Sequence, residues 1–351
     1  MSTRISEFSV SPEQLQKLNG IVLQEDFRKR IEEVRKVNVT LTQKPIQGDV
    51  QITDIISSQN SVIDVIESIN RYDLDPQKGY ELSKKVGFSG YDESKYKFLT
   101  LEGVAHVTTH SLATYVQKDL YPVSKLTFYF YTRSNKIIKI SDYIKYSEDP
   151  ESDSNRDYAE DRSKFIETFA ISNTILFIDG PIIGGNITSY TIKLVDQLHK
   201  NNIIPIFFVK NSDSNLVVDN IGSLRDEFNS DLHWSYQFLH QGQRSNLFIY
   251  IDKHNSKNSK IFCYIKPFNS VTTQRIEFHP DTYKLYQDDF GGIFNLIYYL
   301  MVVQGEKSNP QIRPIAIAER YARETMHLIN SDTLLRSSNL IQTMDQTRFG
   351  G

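Results

Sequence analysis

Runs of branched and aromatic residues, bounded by turn formers, recur along the second half of the chain and predict buried strands. The clearest run is Thr174–Asp179, in which uncharged residues lead to an acid that is followed by Gly-Pro. Similar runs cover residues 203–209, 246–252 and 260–266, and residues 275–278 predict an edge strand. Strands that are apolar on both faces are typical of sheets covered by helices on each side.

Alternating apolar and polar positions predict further strands nearer the middle of the chain. They cover residues 96–101, 125–131 and 136–140. Residues 80–95 have the composition of a polar connector, and residues 147–157 that of an acidic loop. This part of the chain is therefore expected to supply strands joined by short turns.

Apolar residues at helical spacing predict helices around these strands. The predicted helices span residues 11–37, 49–72, 157–171, 187–200, 288–304 and 314–328. Three strands joined by short turns, followed by β-α-β, is the order of an RNase H-like fold. We therefore predict an α/β protein with an RNase H-like mixed sheet flanked by helices over residues 96–330. A helical N-terminal extension is predicted for residues 1–95 and a tail for residues 331–351.

Composition limits the classes of function that this fold can serve. Of the 351 residues, 39% are hydrophobic, which is ample for a large core. The single cysteine, Cys263, excludes a disulfide framework and a multi-cysteine zinc site. No apolar run reaches the ~20 residues of a membrane span, and the N-terminus lacks the apolar segment of a signal peptide. We therefore expect a cytoplasmic protein. A net charge of −3 argues against non-specific coating of nucleic acid but allows a local basic channel.

Two predicted strands end in an acid that is followed by glycine, at Glu102-Gly103 and at Asp179-Gly180. If these strands are neighbours, the two carboxylates lie roughly 5 Å apart. Like charges at that distance repel each other unless a cation lies between them, and oxygen ligands suit Mg²⁺ or Mn²⁺. We therefore predict that Glu102 and Asp179 share a metal site.

A third ligand is predicted on the helix that precedes the Asp179 strand. The strand rises about 16 Å from residue 174 to residue 179, which matches ~11 helical residues and places residues 160 and 161 level with Asp179. Asp161 lies on the apolar face of that helix and is favoured, with Glu160 and Glu167 as alternatives. An acid in the first helical turn can also simply complement the helix dipole.

A fourth acid, Glu319, lies on the last predicted helix among Arg313, Arg320 and Arg323. A salt-bridged helix surface accounts for this pattern equally well. Four acids on two strands and two helices are nevertheless the layout of two-metal phosphodiester cleavage, and the arginines suit contacts to a DNA backbone. Lys210 follows a predicted strand at the same sheet edge as Asp179, where it could contact a phosphate or be an ordinary surface lysine.

These motifs resemble those of the NurA nuclease family, which works with the HerA hexameric ATPase in DNA end resection. Residues 175–181 (ILFIDGP) resemble the second Asp-Gly motif of that family, and residues 101–103 (LEG) resemble its first strand motif, normally Asp-Gly-Ser. Residues 313–322 (RPIAIAERYA) resemble its C-terminal Pro-x-x-x-Ala-His helix, with Glu319 where histidine is usual. Residues 275–277 (RIE) resemble a shorter Arg-x-Glu strand feature.

The resemblance covers roughly residues 96–325. It implies a homodimer that cleaves DNA with Mn²⁺ or Mg²⁺ and docks onto a HerA-type ATPase, in DNA end processing, repair or anti-phage defence. In that family pattern Glu102, Asp161, Asp179 and Glu319 are the catalytic and metal-binding residues. Because Glu102 and Glu319 depart from the pattern, the alternative is a catalytically weak or inactive NurA-like adaptor that binds the motor and DNA. An RNase H-like guide-strand protein of the Argonaute kind is disfavoured, because no other nucleic-acid domain is recognisable.

Overall fold

One large mixed sheet organises the part of the chain that the computed structural model describes. The described residues are 61–116, 119–133, 143–210, 214–225, 227–304, 311–330 and 333. They form a single twelve-stranded sheet with helices on both faces. Among these residues, no helix combines the length and apolar character that a bilayer span requires.

The strands vary from three to fourteen residues in length. They are β1 (Ser61–Val65), β2 (Arg71–Asp73), β3 (Gly87–Leu99), β4 (Val104–Val116), β5 (Asp119–Thr132), β6 (Ile144–Tyr146), β7 (Thr174–Asp179), β8 (Ile204–Val209), β9 (Gln243–Ser245), β10 (Phe248–Asp252), β11 (Ser259–Lys266) and β12 (Gln274–Phe278).

The helices lie between these strands and after them. They are α1 (Pro76–Ser83), α2 (Pro150–Phe169), α3 (Thr188–Lys200), α4 (Gly222–Arg225), α5 (Asp231–Phe238), α6 (Pro280–Tyr286), α7 (Phe290–Gln304) and α8 (Arg313–Ile329). Short 3₁₀ turns at Gly185–Ile187 and Gln287–Asp289 precede α3 and α7.

The strand order confirms the predicted fold. Along the sheet the strands lie in the order β1-β10-β11-β12-β8-β7-β3-β4-β5-β6, and the short strands β2 and β9 pair beside β11. β3, β4 and β5 are antiparallel neighbours, whereas β7 runs parallel to both β3 and β8. Three antiparallel strands followed by a parallel β-α-β unit give the RNase H-like arrangement.

Successive residues of β7 pack into two different cores. Its even-numbered residues Leu176 and Ile178 join Phe165 of α2 and Leu194 of α3 on one face of the sheet. The odd-numbered residues Ile175 and Phe177 join α7 and α8 on the other face, where Ile315 of α8 contributes. Because side chains alternate along a strand, a strand buried on both faces must be apolar throughout, as the β7 sequence is.

The three-stranded part of the sheet extends beyond the end of β7. β3 pairs with β7 only from Gly87 to Tyr91, but it pairs with β4 as far as Leu99. The second half of β3 therefore projects past the carboxyl end of β7, next to an open sheet edge. The residues at that edge form the candidate site.

The N-terminal predictions need correction where the structure describes them. Residues 61–65 and 71–73 form β1 and β2 instead of the end of the helix predicted for residues 49–72. Residues 80–95 are not a connector, because they contain the end of α1 and the first half of β3. The boundary predicted between residues 95 and 96 falls inside β3. The polar side chains of β3 concealed this strand, and its pairing on both sides stabilises it.

Two further predictions are wrong and one strand was not predicted, each for a physical reason. β4 was not predicted, because its polar residues hide the alternation. The acidic loop predicted at residues 147–157 is largely the start of α2, where Asp149 caps the helix, Pro150 occupies its first turn and acids complement the dipole. β12 is not an edge strand, since it lies between β11 and β8.

Several predicted segments lie outside the described residues. They are the helix at residues 11–37, residues 49–60 of the next helix, the strand at residues 136–140 and the tail except for residue 333. The other predicted strands and helices of the second half of the chain are confirmed, with shifts of one to a few residues at their ends.

Candidate active site

Two acids lie side by side where β7 ends. β3 and β7 are parallel, and Tyr91 of β3 pairs with Ile178 of β7. The next residues along the two strands are Asp92 and Asp179, which therefore occupy level positions on neighbouring strands, roughly 5 Å apart at the backbone. Asp92 is only 6% exposed. The sequence-based prediction placed Glu102 on the neighbouring strand, whereas the structure places Asp92 there.

Both acids face the helix α8. Asp179 follows Phe177 by two positions and therefore lies on the face of the sheet that packs against α7 and α8. The first turn of α8 crosses β3 at Gly90, where a Cβ atom would lie only 2.2 Å from the carbonyl carbon of Pro314. Glycine at this position thus allows α8 to lie directly on the sheet, and this close approach brings Glu319 towards the end of β7.

Lys210 lies between the carboxylates of Asp179 and Glu319. Its Nζ is 3.1 Å from Oδ2 of Asp179 and 3.9 Å from Oε2 of Glu319. Arg323, one turn further along α8, also donates a hydrogen bond to Glu319. The placement predicted for Lys210, at the sheet edge beside Asp179, is confirmed. Glu319 and Asp179, which are 140 residues apart in the chain (319 − 179), share this one ammonium group.

The surroundings of Asp92 and Asp179 disfavour the ionised form of both carboxylates. Burial, followed by the neighbouring Asp179 carboxylate, raises the pKa of Asp92 to about 8. Burial also raises the pKa of Asp179, although the ammonium group of Lys210 opposes this effect. The Asp92 carboxylate accepts a local hydrogen bond from the amide N–H of Glu93. The region is therefore favourable for an additional cation.

Residues of α2 border the site from the other face of the sheet. The hydroxyl of Tyr158 donates a 2.6 Å hydrogen bond to Glu93, and Lys95 lies over the Tyr158 ring. Arg162 is 5% exposed, lies 5.6 Å from the centre of the Tyr91 ring and is influenced by the charges of Glu93 and Asp179. The prediction that residue 160 or 161 of α2 lies level with Asp179 is therefore off by one or two residues. The charged side chain that α2 places near Asp179 is Arg162, which is positive.

The predicted helical ligand, Asp161, points at a different part of the sheet. It is 7% exposed, while Glu160 is half-buried and Glu167 is exposed, so the predicted facing of Asp161 is confirmed. Its carboxylate interacts with the hydroxyl of Tyr129 on β5, whose pKa is raised by burial and then by Asp161. A role for Asp161 or Glu160 in metal binding stays a prediction.

The predicted position of Glu102 beside Asp179 is wrong. β3 ends seven residues beyond Asp92, or about 23 Å at ~3.3 Å per residue, and Glu102 lies in the turn that follows. The glycine after it has a structural reason, because a Cβ atom at Gly103 would lie 2.2 Å from the carbonyl oxygen of Tyr131. The Glu-Gly pair therefore marks a tight hairpin and does not mark the end of a buried strand.

Asp92 was missed although a signal for it was present. Residues 87–91 (GFSGY) are small or aromatic and lead directly to an acid, as the β7 residues do. The glycines and the serine lowered the apparent strand character, and the polar residues that follow resembled a connector. Only the pairing of β3 with β7 distinguishes Asp92 from the many other acids of the chain.

Comparison with known families shows that most residues of this site lie in a recognised domain. Residues 171–323 match the model of the NurA domain. This part of the chain is a NurA domain. The matched NurA segment contains Asp179, Lys210 and Glu319, whereas Asp92 lies before it. No curated protein matches the chain.

A solved nuclease structure shows the same fold at low sequence identity. The NurA nuclease from Sulfolobus solfataricus superposes with a TM-score of 0.54 at 10% identity, covering 91% of this chain and 99% of that chain. Another NurA crystal structure gives a TM-score of 0.43 at 7% identity, covering 91% and 98% of the two chains. Endonuclease V from Bacillus subtilis gives 0.38 at 8% identity, covering 73% and 92%. The described sheet and its helices therefore have the fold of the Sulfolobus solfataricus NurA nuclease.

The donor atoms of this site suit a hard divalent cation. Asp92, Asp179 and Glu319 supply only carboxylate oxygens, the ligands that Mg²⁺ and Mn²⁺ accept, and Asp92 is a buried acid that a cation would help to ionise. Within the described ranges, however, no three His, Cys, Asp or Glu side chains are already grouped as a metal site. Lys210 lies between two of the three acids, so the residues fit a cation chemically and require Lys210 to move.

The predicted DNA-binding arginines line the outer side of α8. Arg313, Arg320 and Arg323 are all exposed, and Arg323 is paired with Glu319. They lie on the same helix as Glu319, whose side chain is 24% exposed. Their position is compatible with the predicted backbone contacts, which stay a prediction.

Proposed function

We propose that this NurA-family protein is a metal-dependent DNA nuclease that cleaves phosphodiester bonds in the cytoplasm. The observation that carries the proposal is the level placement of Asp92 and Asp179 at the end of parallel strands, with Glu319 brought beside them by α8. Three acids from distant parts of the sequence meet at one open sheet edge. Such convergence of buried charge costs stability, and a catalytic role explains its retention.

Asp92, Asp179 and Glu319 would hold Mn²⁺ or Mg²⁺. When bound, such an ion supplies a Lewis acid that activates water and offsets the charge that develops on the phosphate, and two ions divide these tasks. Lys210 would leave the carboxylates and offer its ammonium to a phosphate oxygen of the DNA. Arg313 and Arg320 would bind phosphates further along the DNA strand, since both side chains are exposed to solvent.

A cleavage assay with matched variants tests this proposal. Labelled single- and double-stranded DNA is incubated with the wild type, Asp92→Ala and Asp179→Ala, in the presence of Mn²⁺, Mg²⁺ or EDTA. We expect metal-dependent cleavage by the wild type and a loss of at least about a thousandfold in each variant, as when a group needed for the reaction is removed. Cleavage that persists in both variants would place the activity elsewhere or in a contaminant.

A second candidate function is a NurA-like adaptor that binds the motor and DNA without cutting. The ammonium of Lys210 among the acids favours it, because a permanent internal cation would exclude metal. DNA binding without cleavage by the wild type at any metal concentration would select this alternative.

The proposed partner is a HerA-type hexameric ATPase, and the proposed assembly state is a homodimer. Both come from the family resemblance. Co-expression with such an ATPase, followed by size-exclusion chromatography with light scattering, measures the two together. A monomer that does not co-elute with the ATPase would exclude both of these assignments while leaving the nuclease proposal intact.

A further inference from the structure

Glu277 is a wholly buried acid next to the candidate site. It lies on β12 and is 0% exposed. Its Oε1 accepts hydrogen bonds from Nζ of Lys260 at 2.6 Å and from Nε of Arg275 at 2.8 Å. Its Oε2 accepts one from the backbone N–H of Ile182 at 3.0 Å. Burial acts to raise the pKa of Glu277, but Lys260 and Arg275 hold it below its usual value.

The contact with Ile182 fixes the turn that follows Asp179. Ile182 lies three residues beyond Asp179, and Gly180 between them donates a hydrogen bond to the carbonyl of Phe208 on β8. The turn is thus held at two points, one on the neighbouring strand and one on the side chain of Glu277. Since the Asp179 carboxylate projects from the residue before this turn, the conformation of the turn sets its direction.

Arg275 extends the same network to the segment after Lys210. Its Nη1 donates to Oγ of Ser214, at the start of the described segment 214–225. The segment is held further along by Asp231, which accepts from the amides of Val217 and Val218, both at 2.9 Å. Glu277 therefore touches the turn after β7 directly and reaches the segment after β8 through one guanidinium group.

Stability alone does not account for this arrangement. Ion pairs taken out of water often stabilise a protein no more than well-packed apolar residues do, because desolvation offsets their attraction. An apolar core could fill the same volume but could not bind a backbone N–H and a serine hydroxyl at fixed angles. What the network adds is the relative position of two turns, and these turns follow the strands that lead to Asp179 and Lys210.

We propose that Glu277 is a positioning residue: its carboxylate locks the turn at residues 180–183 and, through Arg275, the segment at residues 214–221, and so holds Asp179 and Lys210 in register with Asp92. This inference rests on the proposed nuclease function for its effect on catalysis. Its structural half, the locking of two segments by one carboxylate, can be measured without any activity.

The test compares variants that separate charge balance from positioning. In the buried network Glu277 and Asp231 balance Lys260 and Arg275. Glu277→Gln leaves one positive charge uncompensated, whereas Glu277→Gln combined with Lys260→Met removes one charge of each sign and restores the balance. Glu277→Asp keeps the charge but shortens the side chain by one methylene, so it serves if the double variant does not fold.

Glu67 provides a matched control far from the site. It accepts hydrogen bonds from the guanidinium of Arg244 at 2.6 and 3.0 Å and from the backbone N–H of Leu247 at 3.1 Å. Glu67 thus has the same kinds of partner as Glu277, but these lie near β1, β9 and β10, several strands away from β7. Glu67→Gln should change global stability without changing hydrogen exchange at residues 180–183 and 214–221.

Hydrogen exchange read by mass spectrometry and steady-state cleavage kinetics give the two readouts. In the double variant we expect exchange to rise at residues 180–183 and 214–221 and to stay unchanged in α7. We also expect kcat to fall roughly 10- to 100-fold, the scale of a misplacement of about 1 Å, with KM for DNA near the wild-type value. The thermal midpoint should recover most of the loss seen in Glu277→Gln.

Hydrogen exchange tests the structural half of the inference, and kcat tests its effect on catalysis. If both segments exchange as in the wild type, Glu277 does not position them and the inference is overturned, whatever the activity. If kcat recovers along with stability in the double variant, the role of Glu277 is structural and the inference is likewise overturned. A wild type that cleaves no DNA would defeat the proposed function alone, since increased exchange in these two segments would still support the positioning role.

Discussion

Asp92 and Asp179 are neighbours on parallel strands, and the pairing of Tyr91 with Ile178 sets them level. Glu102, the acid that the sequence pattern placed beside Asp179, lies in a hairpin turn beyond the far end of β3. The structure therefore assigns Asp92 to the site, whereas the sequence motifs assign Glu102. Variants at these two positions distinguish the two assignments.

Cleavage should depend on Asp92 and not on Glu102. We expect Asp92→Asn to reduce kcat/KM on labelled DNA by about a thousandfold or more, because the variant loses the ionised oxygen ligand. Glu102→Gln should stay within about twofold of the wild type, since its side chain is more than about 20 Å away along the strand. A large loss in Glu102→Gln together with a small one in Asp92→Asn would contradict the structural assignment.

The stability of the metal-free protein should fall as the pH rises from about 4 to about 8. The pKa of Asp92 is about 8 in the folded state and about 3.9 when unfolded, so the folded state binds this proton more tightly. The resulting stabilisation is complete below about pH 4 and is lost as the pH rises through 8, with an upper limit of roughly 6 kcal/mol.

Urea unfolding in EDTA at several pH values measures this effect. Asp92→Asn, which cannot ionise, is the control, and its stability should exceed that of the wild type increasingly as the pH rises from 5 to 8. Parallel pH dependences in the two proteins would show that Asp92 is not a buried acid with a raised pKa.

Removing the ammonium group of Lys210 should strengthen metal binding while it weakens cleavage. Lys210 is 3.1 Å from Asp179, so its charge competes with a cation for the same oxygens. We expect Lys210→Gln to lower the Kd for Mn²⁺ about tenfold, or ~1.4 kcal/mol, by electron paramagnetic resonance or calorimetry.

Arg323→Gln is the control for charge alone. Arg323 also contacts Glu319, but its side chain is 66% exposed and its charge is screened by solvent. Its removal should change the Mn²⁺ affinity by less than about threefold. Unchanged or weaker binding in Lys210→Gln would mean that Lys210 does not compete with the cation.

Arg313 and Arg320 should contribute to DNA binding through phosphate contacts. Each lost contact is expected to reduce the slope of log K against log salt concentration by about 0.9 for duplex DNA or about 0.7 for single strands. Fluorescence anisotropy with Arg313→Gln and Arg320→Gln at several salt concentrations measures the slope. Lys193→Gln, an exposed change on α3, should leave it unaltered, and equal slopes in all variants would exclude α8 as a DNA-binding surface.

The sequence by itself determined the α/β class, the helices α2, α3, α7 and α8, and the strands β7, β8, β10 and β11. In these segments the apolar period is local and unbroken, so burial on one or both faces can be read directly from neighbouring residues. Asp179 and Lys210 were identified for the same reason, because each follows such a strand.

The tertiary structure alone decided which acid accompanies Asp179. The polar strands β3 and β4 are stabilised by pairing with partners distant in the chain, which no local pattern encodes. Register then selects Asp92 over Glu102, because a shift along a strand moves a side chain by about 3.3 Å per residue. The helical period predicted only which face of α2 carries Asp161. The position of α2 on the sheet then places Asp161 beside Tyr129 instead of Asp179.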